Sequence, residues 1–251
     1  MKTKCVAFST QKGGAGKTTM TVLIASYLQY VRGFNVAIVD CDFPQHSITE
    51  MRKRDVEMTL QSEYYKQLAY TQITRTQKKG YIILESKPEY ALEEAQKLEH
   101  EELDFIFFDL PGTVNSPGVL KTLSKMDYIF SPIAADRVVL ESTLRFVVNI
   151  NENLITTGRS DIKGLYLFWN MVDGREKSEL YKIYETVIDE LGLTVLKTFI
   201  PDSKRFRREL PTSGKAIFRS TLFPPDKSLI KGSSLEELTD EIIKIIHKDE
   251  E

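Results

Sequence analysis

The sequence has few of the features that mark a secreted or membrane-spanning protein. Only two of its 251 residues are cysteines, Cys5 and Cys41. They form no paired motif, which is typical of reduced, buried thiols in a cytoplasmic protein. No apolar run approaches the ~18 residues that are needed to cross a bilayer. The first predicted strand begins almost immediately after Met1, so we expect no signal peptide.

The chain also lacks a strong excess of one charge. Its formal net charge is −2, with 41% hydrophobic and 28% charged residues, a balance typical of a globular protein with a sizeable core. Any attraction to nucleic acid or to a membrane must therefore come from a local patch. Repeats, low-complexity tracts and long linkers are missing as well, so we predict a single domain over residues 1–251.

The most informative stretch runs from Cys5 to Thr19. A short apolar strand at 6–8 leads into a glycine-rich turn, and a helical pattern follows from Met20 to Val31. Loop amides and a helix N-terminus together bind anions, and glycine permits the close approach. In such a loop Lys17 reaches phosphates and the Thr18 hydroxyl ligates Mg²⁺. The candidate ATP-binding residues of this loop are Lys12, Gly13, Gly14, Ala15, Gly16, Lys17, Thr18 and Thr19. A glycine turn with two solvated lysines is the alternative.

The loop departs from the common P-loop pattern G-x-x-x-x-G-K-[ST], because Gln11 stands at the first glycine and a second lysine, Lys12, follows it. In the form Lys-Gly-Gly-Ala-Gly-Lys-Thr-Thr it resembles the signature-lysine loop of the ParA/MinD family of ATPases. The resemblance implies a P-loop NTPase of the α/β class, with a mostly parallel twisted sheet covered by helices on both faces. It also implies ATP and Mg²⁺ as ligands.

Two aspartates follow the second predicted strand, at 35–39. Asp40 and Asp42 stand where open α/β sheets bind their ligands. The stretch resembles the family switch segment D-x-D-P-Q, with one extra residue, Phe43, before the proline. The resemblance places Asp42 near the Mg²⁺ shell and the attacking water, and the insertion leaves the position of Gln45 open. A solvated turn is the alternative.

A third acidic position closes the segment from Leu103 to Pro111. Four apolar residues precede Asp109, as in the Walker B form hhhhD, which holds a Mg²⁺-bound water. A buried strand with a capping aspartate is the alternative. The candidate metal-binding residues are Thr18, Asp42 and Asp109.

The second half of the chain continues the alternation of strands and helices, which predicts a mainly parallel sheet. Asn170 follows a predicted strand at 165–169, and its amide can donate to and accept from a purine edge. A polar strand end explains it equally well. A further strand is predicted from Thr194 to Ile200, and the Ile-Pro pair that ends at Pro201 resembles the family segment lying against the base.

Between Lys197 and Arg219, seven Lys and Arg residues face only two acids. Surface cations of this kind make sequence-independent, salt-sensitive phosphate contacts. The candidate DNA-binding residues are Lys204, Arg205, Arg207 and Arg208. A solvated positive face or interface ion pairs would account for the same run.

A predicted last helix begins after a capping-box arrangement at Ser233 and Ser234. Apolar residues from Leu235 to Ile246 follow at helical spacing. Membrane-surface helices are usually basic on their polar face, whereas this one is acidic. We therefore expect it to pack on the core and consider membrane binding unlikely.

Together with the resemblance, these motifs predict a ParA-like ATPase that positions or partitions a plasmid, chromosome or conjugative element. The resemblance implies an ATP-dependent sandwich dimer in which Lys12 reaches the partner's ATP, with Lys17 and Asp42 as further catalytic residues. It also implies slow hydrolysis to ADP and phosphate, stimulated by a ParB-type partner, non-specific DNA as a further partner, and a cytoplasmic, nucleoid-associated location. The alternatives are a MinD-like regulator recruited to a membrane or a protein complex, a relative of nitrogenase iron-protein or dethiobiotin synthetase type, and a nucleotide binder without turnover.

Overall fold

The computed structural model describes residues 2–112, 116–175, 178–209 and 216–248 of the chain. Within these ranges one parallel sheet of seven strands has the order β3-β2-β4-β1-β5-β6-β7. The strands are β1 Lys4–Phe8, β2 Val36–Asp40, β3 Ile82–Glu85, β4 Phe105–Asp109, β5 Tyr128–Ile133, β6 Gly164–Trp169 and β7 Thr194–Val195. The helices are α1 Lys17–Tyr27, α2 Ser47–Gln61, α3 Glu63–Thr76, α4 Ala91–Gln96, α5 Pro117–Leu123, α6 Arg137–Ile150, α7 Ser178–Glu190, α8 Lys227–Ile230 and α9 Leu235–Lys248. The predicted α/β fold with a parallel sheet is confirmed.

The sheet is covered on both faces, which explains why its central strands are buried and mostly apolar. Side chains alternate between the two faces. Val6 and Phe8 belong to the core under α1 and α9, and Ala7 belongs to the core under α4 to α7. Phe8 lies at the centre of the first core, with its ring 6.2 Å from that of Phe107 and 5.9 Å from that of Phe130.

The sheet order places the candidate site at a topological switch point. β1 lies between β4 and β5. The chain goes from β1 to β2 on one side and from the adjacent β4 to β5 on the other, so the connections after these two strands run in opposite directions. Open α/β sheets bind ligands in the crevice that this arrangement creates. The pairing of β2 with β4 sets Asp40 directly opposite Asp109 in the sheet register.

Two predicted elements are shorter in the structure than the sequence pattern indicated. The strand predicted from Thr194 to Ile200 keeps its ladder only over β7, and an isolated bridge from Val172 to Pro201 follows. The carboxylate of Glu241 is the reason, because it accepts the amide N–H groups of Lys197 (2.8 Å) and Thr198 (2.9 Å). The Thr198 amide is thereby diverted from β6, to which the Leu196 amide still donates at the carbonyl of Leu167 (2.7 Å).

The helix predicted from Pro88 to His100 is a 3₁₀ turn at Pro88–Tyr90 followed by the short helix α4. After α4 the amide of Leu98 bonds to the carbonyl of Ala95, three residues back, at 3.0 Å. The tightened final turn ends the helix before His100.

The prediction of buried thiols is confirmed for Cys41, which is fully buried, and only partly for Cys5, which is half-buried. Both are free. Burial, with Asp127 nearby, raises the pKa of the Cys5 thiol to about 11, so it remains protonated at neutral pH.

The last helix packs on the core, as expected. Its apolar face is buried against the α1 side of the sheet through Leu235, Leu238, Ile242 and Ile246. The acidic residues at 249–251 lie outside the described residues. Within the described ranges, no helix combines the length and the apolar character that crossing a membrane requires.

Candidate functional site

A cavity of about 450 Å³ opens at the carboxyl ends of the central strands. Its walls come from the glycine loop and the start of α1, from the segments after β2, β4 and β6, and from the segment after Ile200. The lining residues are Gly13, Gly14, Gly16, Lys17, Thr18, Thr19, Met20, Asp42, Leu110, Gly112, Asn170, Met171, Pro201, Asp202, Ser203, Phe206, Arg207 and Arg219. Most of the predicted site residues therefore meet at one cavity, whereas Lys12, Ala15 and Asp109 lie outside its lining.

The glycine loop is held from outside by Asn170. The Asn170 side chain donates from Nδ2 to the carbonyl of Ala15 (2.8 Å) and accepts from the amide of Met171 (3.0 Å). Gly16 has a φ of 94°, and a Cβ there would lie 2.5 Å from Asn170 Nδ2. Only glycine satisfies both constraints. Asn170, which the sequence assigned to the adenine, thus also braces the loop.

Lys17 is buried at the start of α1. Its Nζ donates to the carbonyl of Lys12 (3.2 Å), and a Cβ on Gly112 would lie 3.0 Å from that Nζ. Burial lowers the pKa of Lys17, and the carboxylates of Asp109 and Asp42 oppose this effect. The ammonium group is therefore fixed between the loop and the segment after β4, facing the cavity.

Asp109 lies behind Thr18 and is completely buried. The Thr18 hydroxyl donates to Oδ2 (2.8 Å), and Oδ1 has no hydrogen-bond partner among the residues that the structure describes. Burial raises the pKa of Asp109 to about 7, and Asp40 and Asp42 add to this rise.

These groups fit a magnesium ion. A hydroxyl and an unsatisfied carboxylate oxygen are ligands that Mg²⁺ prefers, and it usually completes its shell with water and substrate phosphates. In the described part of the chain, no cluster of three or more His, Cys, Asp and Glu side chains forms a complete metal cage. An ion here would thus depend on Thr18, Asp42 and Asp109 together with a bound phosphate.

The two aspartates after β2 have different surroundings. Asp42 is half-buried and lines the cavity. Asp40 is buried, and its Oδ2 accepts the amides of Ile48 (3.0 Å) and Thr49 (2.9 Å) at the start of α2. Gln45, whose position the sequence left open, is exposed and outside the cavity lining.

Arg219 is a lining residue that sequence reasoning counted only as part of the basic run. Its Nη1 donates to the hydroxyl of Thr19 (2.7 Å), and its Nη2 forms an ion pair with Glu209. Glu209 also pairs with Arg54 of α2. No sequence signal could have found this contact, because Thr19 and Arg219 are 200 residues apart in the chain.

The basic run does not form one uniform surface. Lys204, Arg207 and Arg208 are exposed, and Arg207 also lines the cavity. Arg205 instead donates from Nη1 to the carbonyls of Leu229 (2.8 Å) and Lys231 (2.7 Å), so its guanidinium is occupied within the fold. Lys215 lies outside the described residues.

Comparison with known proteins agrees with this architecture. Residues 6–215 match the CobQ/CobB/MinD/ParA nucleotide binding domain. The chromosome-partitioning ATPase Soj of Thermus thermophilus is 28% identical over 233 residues, covering 86% of this chain and 88% of the relative. The sporulation initiation inhibitor protein Soj of Bacillus subtilis is 27% identical, covering 85% and 90%.

Two solved structures share the fold across nearly the whole chain. A putative plasmid partition protein of Borrelia burgdorferi bound to AMPPNP superposes with a TM-score of 0.60 at 17% identity, covering 99% of this chain and 100% of that one. The MinD cell division protein of Aquifex aeolicus gives a TM-score of 0.57 at 18% identity, with 97% of each chain covered.

Proposed function

Because the chain belongs to the family of CobQ/CobB/MinD/ParA nucleotide-binding domains, we propose that it is a ParA-like ATPase that positions or partitions DNA through an ATP-dependent dimer. One observation carries the proposal. A buried lysine, a helix N-terminus and the carboxylates of Asp42 and Asp109 converge at the switch point of the sheet. The relatives named as a chromosome-partitioning ATPase and a plasmid partition protein support the choice of ParA-like function.

In this proposal the chain's own groups surround the triphosphate. The amides from Gly13 to Thr18 and the start of α1 hold the phosphates, and Lys17 neutralises their outer charge. Thr18, Asp42 and Asp109 would hold Mg²⁺, which would supply charge neutralisation at the phosphate oxygens. Asp42, half-exposed at the cavity edge, orients the attacking water. Asn170 and Pro201 lie against the adenine.

Lys12 acts on a second copy of the chain. Its carbonyl binds Lys17, while its side chain is only partly buried and lies outside the cavity lining. From there its ammonium group reaches phosphates of the partner's ATP, in the role of an arginine finger. The whole chain acts as one domain in the cytoplasm, and a ParB-type partner stimulates its slow hydrolysis. The MinD-like alternative gains no support from α9, whose apolar face is already buried in the core.

Size-exclusion chromatography with Mg²⁺ and ATP, with ADP and without nucleotide tests the dimer. We expect a dimer only with ATP, and its loss in Lys12→Ala, because the bridging cation is removed. Lys244→Ala, an exposed lysine of α9, is the matched control and should still dimerise. Lys12→Ala dimerising as well as wild type would exclude the proposed sandwich.

DNA binding is tested separately with Lys204 and Arg208, two exposed members of the basic run that do not line the cavity. Changing both to Glu should weaken the ATP-dependent shift of unrelated duplex DNA, and raising the salt should weaken the wild-type shift in the same direction. ATP binding should be unchanged. Retained DNA binding in the double variant would remove this segment from the proposal.

A further inference from the structure

We propose that Arg219 binds the nucleotide directly, through an oxygen of the phosphate group nearest the sugar. The inference rests on the proposed function, since it requires that a nucleotide occupies the cavity. It adds a residue that belongs to neither the glycine loop nor the two acidic strand ends. It also gives a role in ligand binding to the end of the basic run, which the sequence analysis described only by its positive charge.

The position of Arg219 at the start of α1 is the first argument. Met20 is the first residue of the helix whose amide bonds back to the loop, at the carbonyl of Gly16 (2.9 Å). The amides of residues 17–19 therefore have no partner within the helix, and Gly16 supplies no side-chain cap. A phosphate that settles on these amides lies against Thr19, whose hydroxyl already accepts a hydrogen bond from Arg219 (2.7 Å).

The local charge is the second argument. The carboxylate of Glu209 is shared by two guanidinium groups, those of Arg54 and Arg219. These three side chains together carry one uncompensated positive charge at the cavity wall. The side chain of Arg219 is only 18% exposed, and its buried Nε has no partner in the described ranges. A guanidinium with a free N–H donor suits a phosphate oxygen well.

The directions of the three neighbouring side chains identify the phosphate. Lys17 Nζ lies beside Gly112, and Thr18 bonds Asp109. These two directions belong to the terminal phosphate and the metal in the proposed function. Thr19 points instead to Arg219, which lines the cavity together with the segment from Pro201 to Arg207 on the proposed adenine side. Arg219 therefore meets the phosphate nearest the sugar, which ATP and ADP both carry.

Titration calorimetry with ATP and with ADP, in the presence of Mg²⁺, tests the proposal on the full chain. Arg219→Gln should weaken both nucleotides by a similar factor of about 10 to 100, the range of a charged hydrogen bond in a binding site. Arg219→Lys should recover part of the affinity. Arg159→Gln, which changes an exposed arginine outside the cavity lining, should bind like wild type. A loss confined to ATP would place Arg219 at the terminal phosphate and overturn the assignment.

Phosphorus NMR of bound ADP separates a direct contact from a structural brace. In Arg219→Gln at saturating ADP, the resonance of the phosphorus nearest the sugar should move while the terminal one changes little. Unchanged spectra and unchanged affinity, with only a lower melting temperature without nucleotide, would show a brace and overturn the proposal. If wild type itself binds neither nucleotide, the proposed function fails and this inference fails with it. If wild type binds and Arg219→Gln binds equally, only this inference fails.

Discussion

The ends of β2 and β4 carry two buried aspartates that face each other in the sheet register and have opposite surroundings. Asp40 accepts two amides from the start of α2, at 3.0 and 2.9 Å. Asp109 accepts one hydroxyl, from Thr18, and keeps an oxygen without a partner among the described residues. Of these two neighbouring aspartates, Asp40 therefore binds the start of a helix, whereas Asp109 keeps an oxygen available for a ligand.

The supply of hydrogen-bond donors explains this difference. Burial raises the pKa of both carboxylates, because the charged form loses its hydration. At Asp40 the amides of Thr49 and Asp42 oppose the rise, since they stabilise the charged form. At Asp109 only Thr18 and Lys17 oppose it, and Asp40 and Asp42 add repulsion. We conclude that Asp40 contributes to the fold and that Asp109 remains available for a cation.

The largest effect on stability should follow from removing Asp40. Asp40→Ala leaves the buried amides of Ile48 and Thr49 without an acceptor, at a cost of about 3 kcal/mol in the free energy of unfolding. Asp40→Asn keeps one oxygen acceptor and should cost less. Urea unfolding measures both variants. A loss below about 1 kcal/mol for Asp40→Ala would contradict a structural role for this side chain.

The matched change at the end of β4 should affect binding rather than folding. Asp109→Asn still accepts from Thr18 but loses the negative charge, so the gain in ATP affinity on adding Mg²⁺ should fall by about 10- to 100-fold. Calorimetry with and without Mg²⁺ measures this gain, and urea unfolding should show that the variant is at least as stable as wild type. A variant that keeps the full Mg²⁺ response would exclude Asp109 from the metal site.

The last effect is a pH dependence of stability, which appears without nucleotide or Mg²⁺. The folded-state pKa of Asp109, about 7, lies above its ordinary value of 3.8, so the unfolded chain releases this proton first as the pH rises. Stability is therefore lost between about pH 4 and 7 and stays lost above that range. Asp109→Asn removes this loss. Its melting temperature should therefore exceed that of wild type by more at pH 8 than at pH 5, with roughly 2 to 4 °C for each kcal/mol of stability regained. An equal difference at both pH values would contradict the raised pKa.

The sequence could predict the parts of the site that depend on local spacing. The glycine loop, the strand that ends in Asp109 and the turn that holds Asp42 each consist of residues that are close together in the chain. Their meeting at one edge follows from the parallel order of the sheet. For the same reason, the fold class and most strands were predicted close to their observed positions.

Contacts between distant parts of the chain could not be predicted in this way. Asp40 and Asp42 both follow the same predicted strand, so the sequence alone does not distinguish them. Only the packing of α2 shows that its amides donate to the carboxylate of Asp40. Similarly, a run of arginines gives no sign that Arg205 bonds the carbonyls of Leu229 and Lys231. The true length of β7 depends on Glu241, 44 residues beyond Lys197.

The bond between Glu241 and the amides of Lys197 and Thr198 has a consequence for shortened versions of the protein. Those amides precede Pro201, which belongs to the cavity wall. A premature stop before Glu241 would thus do more than expose the apolar surface beneath α9. It would also free the backbone that leads into the proposed adenine side of the cavity. Nucleotide affinity should therefore be more sensitive to C-terminal deletions than the separation in sequence between α9 and the glycine loop suggests.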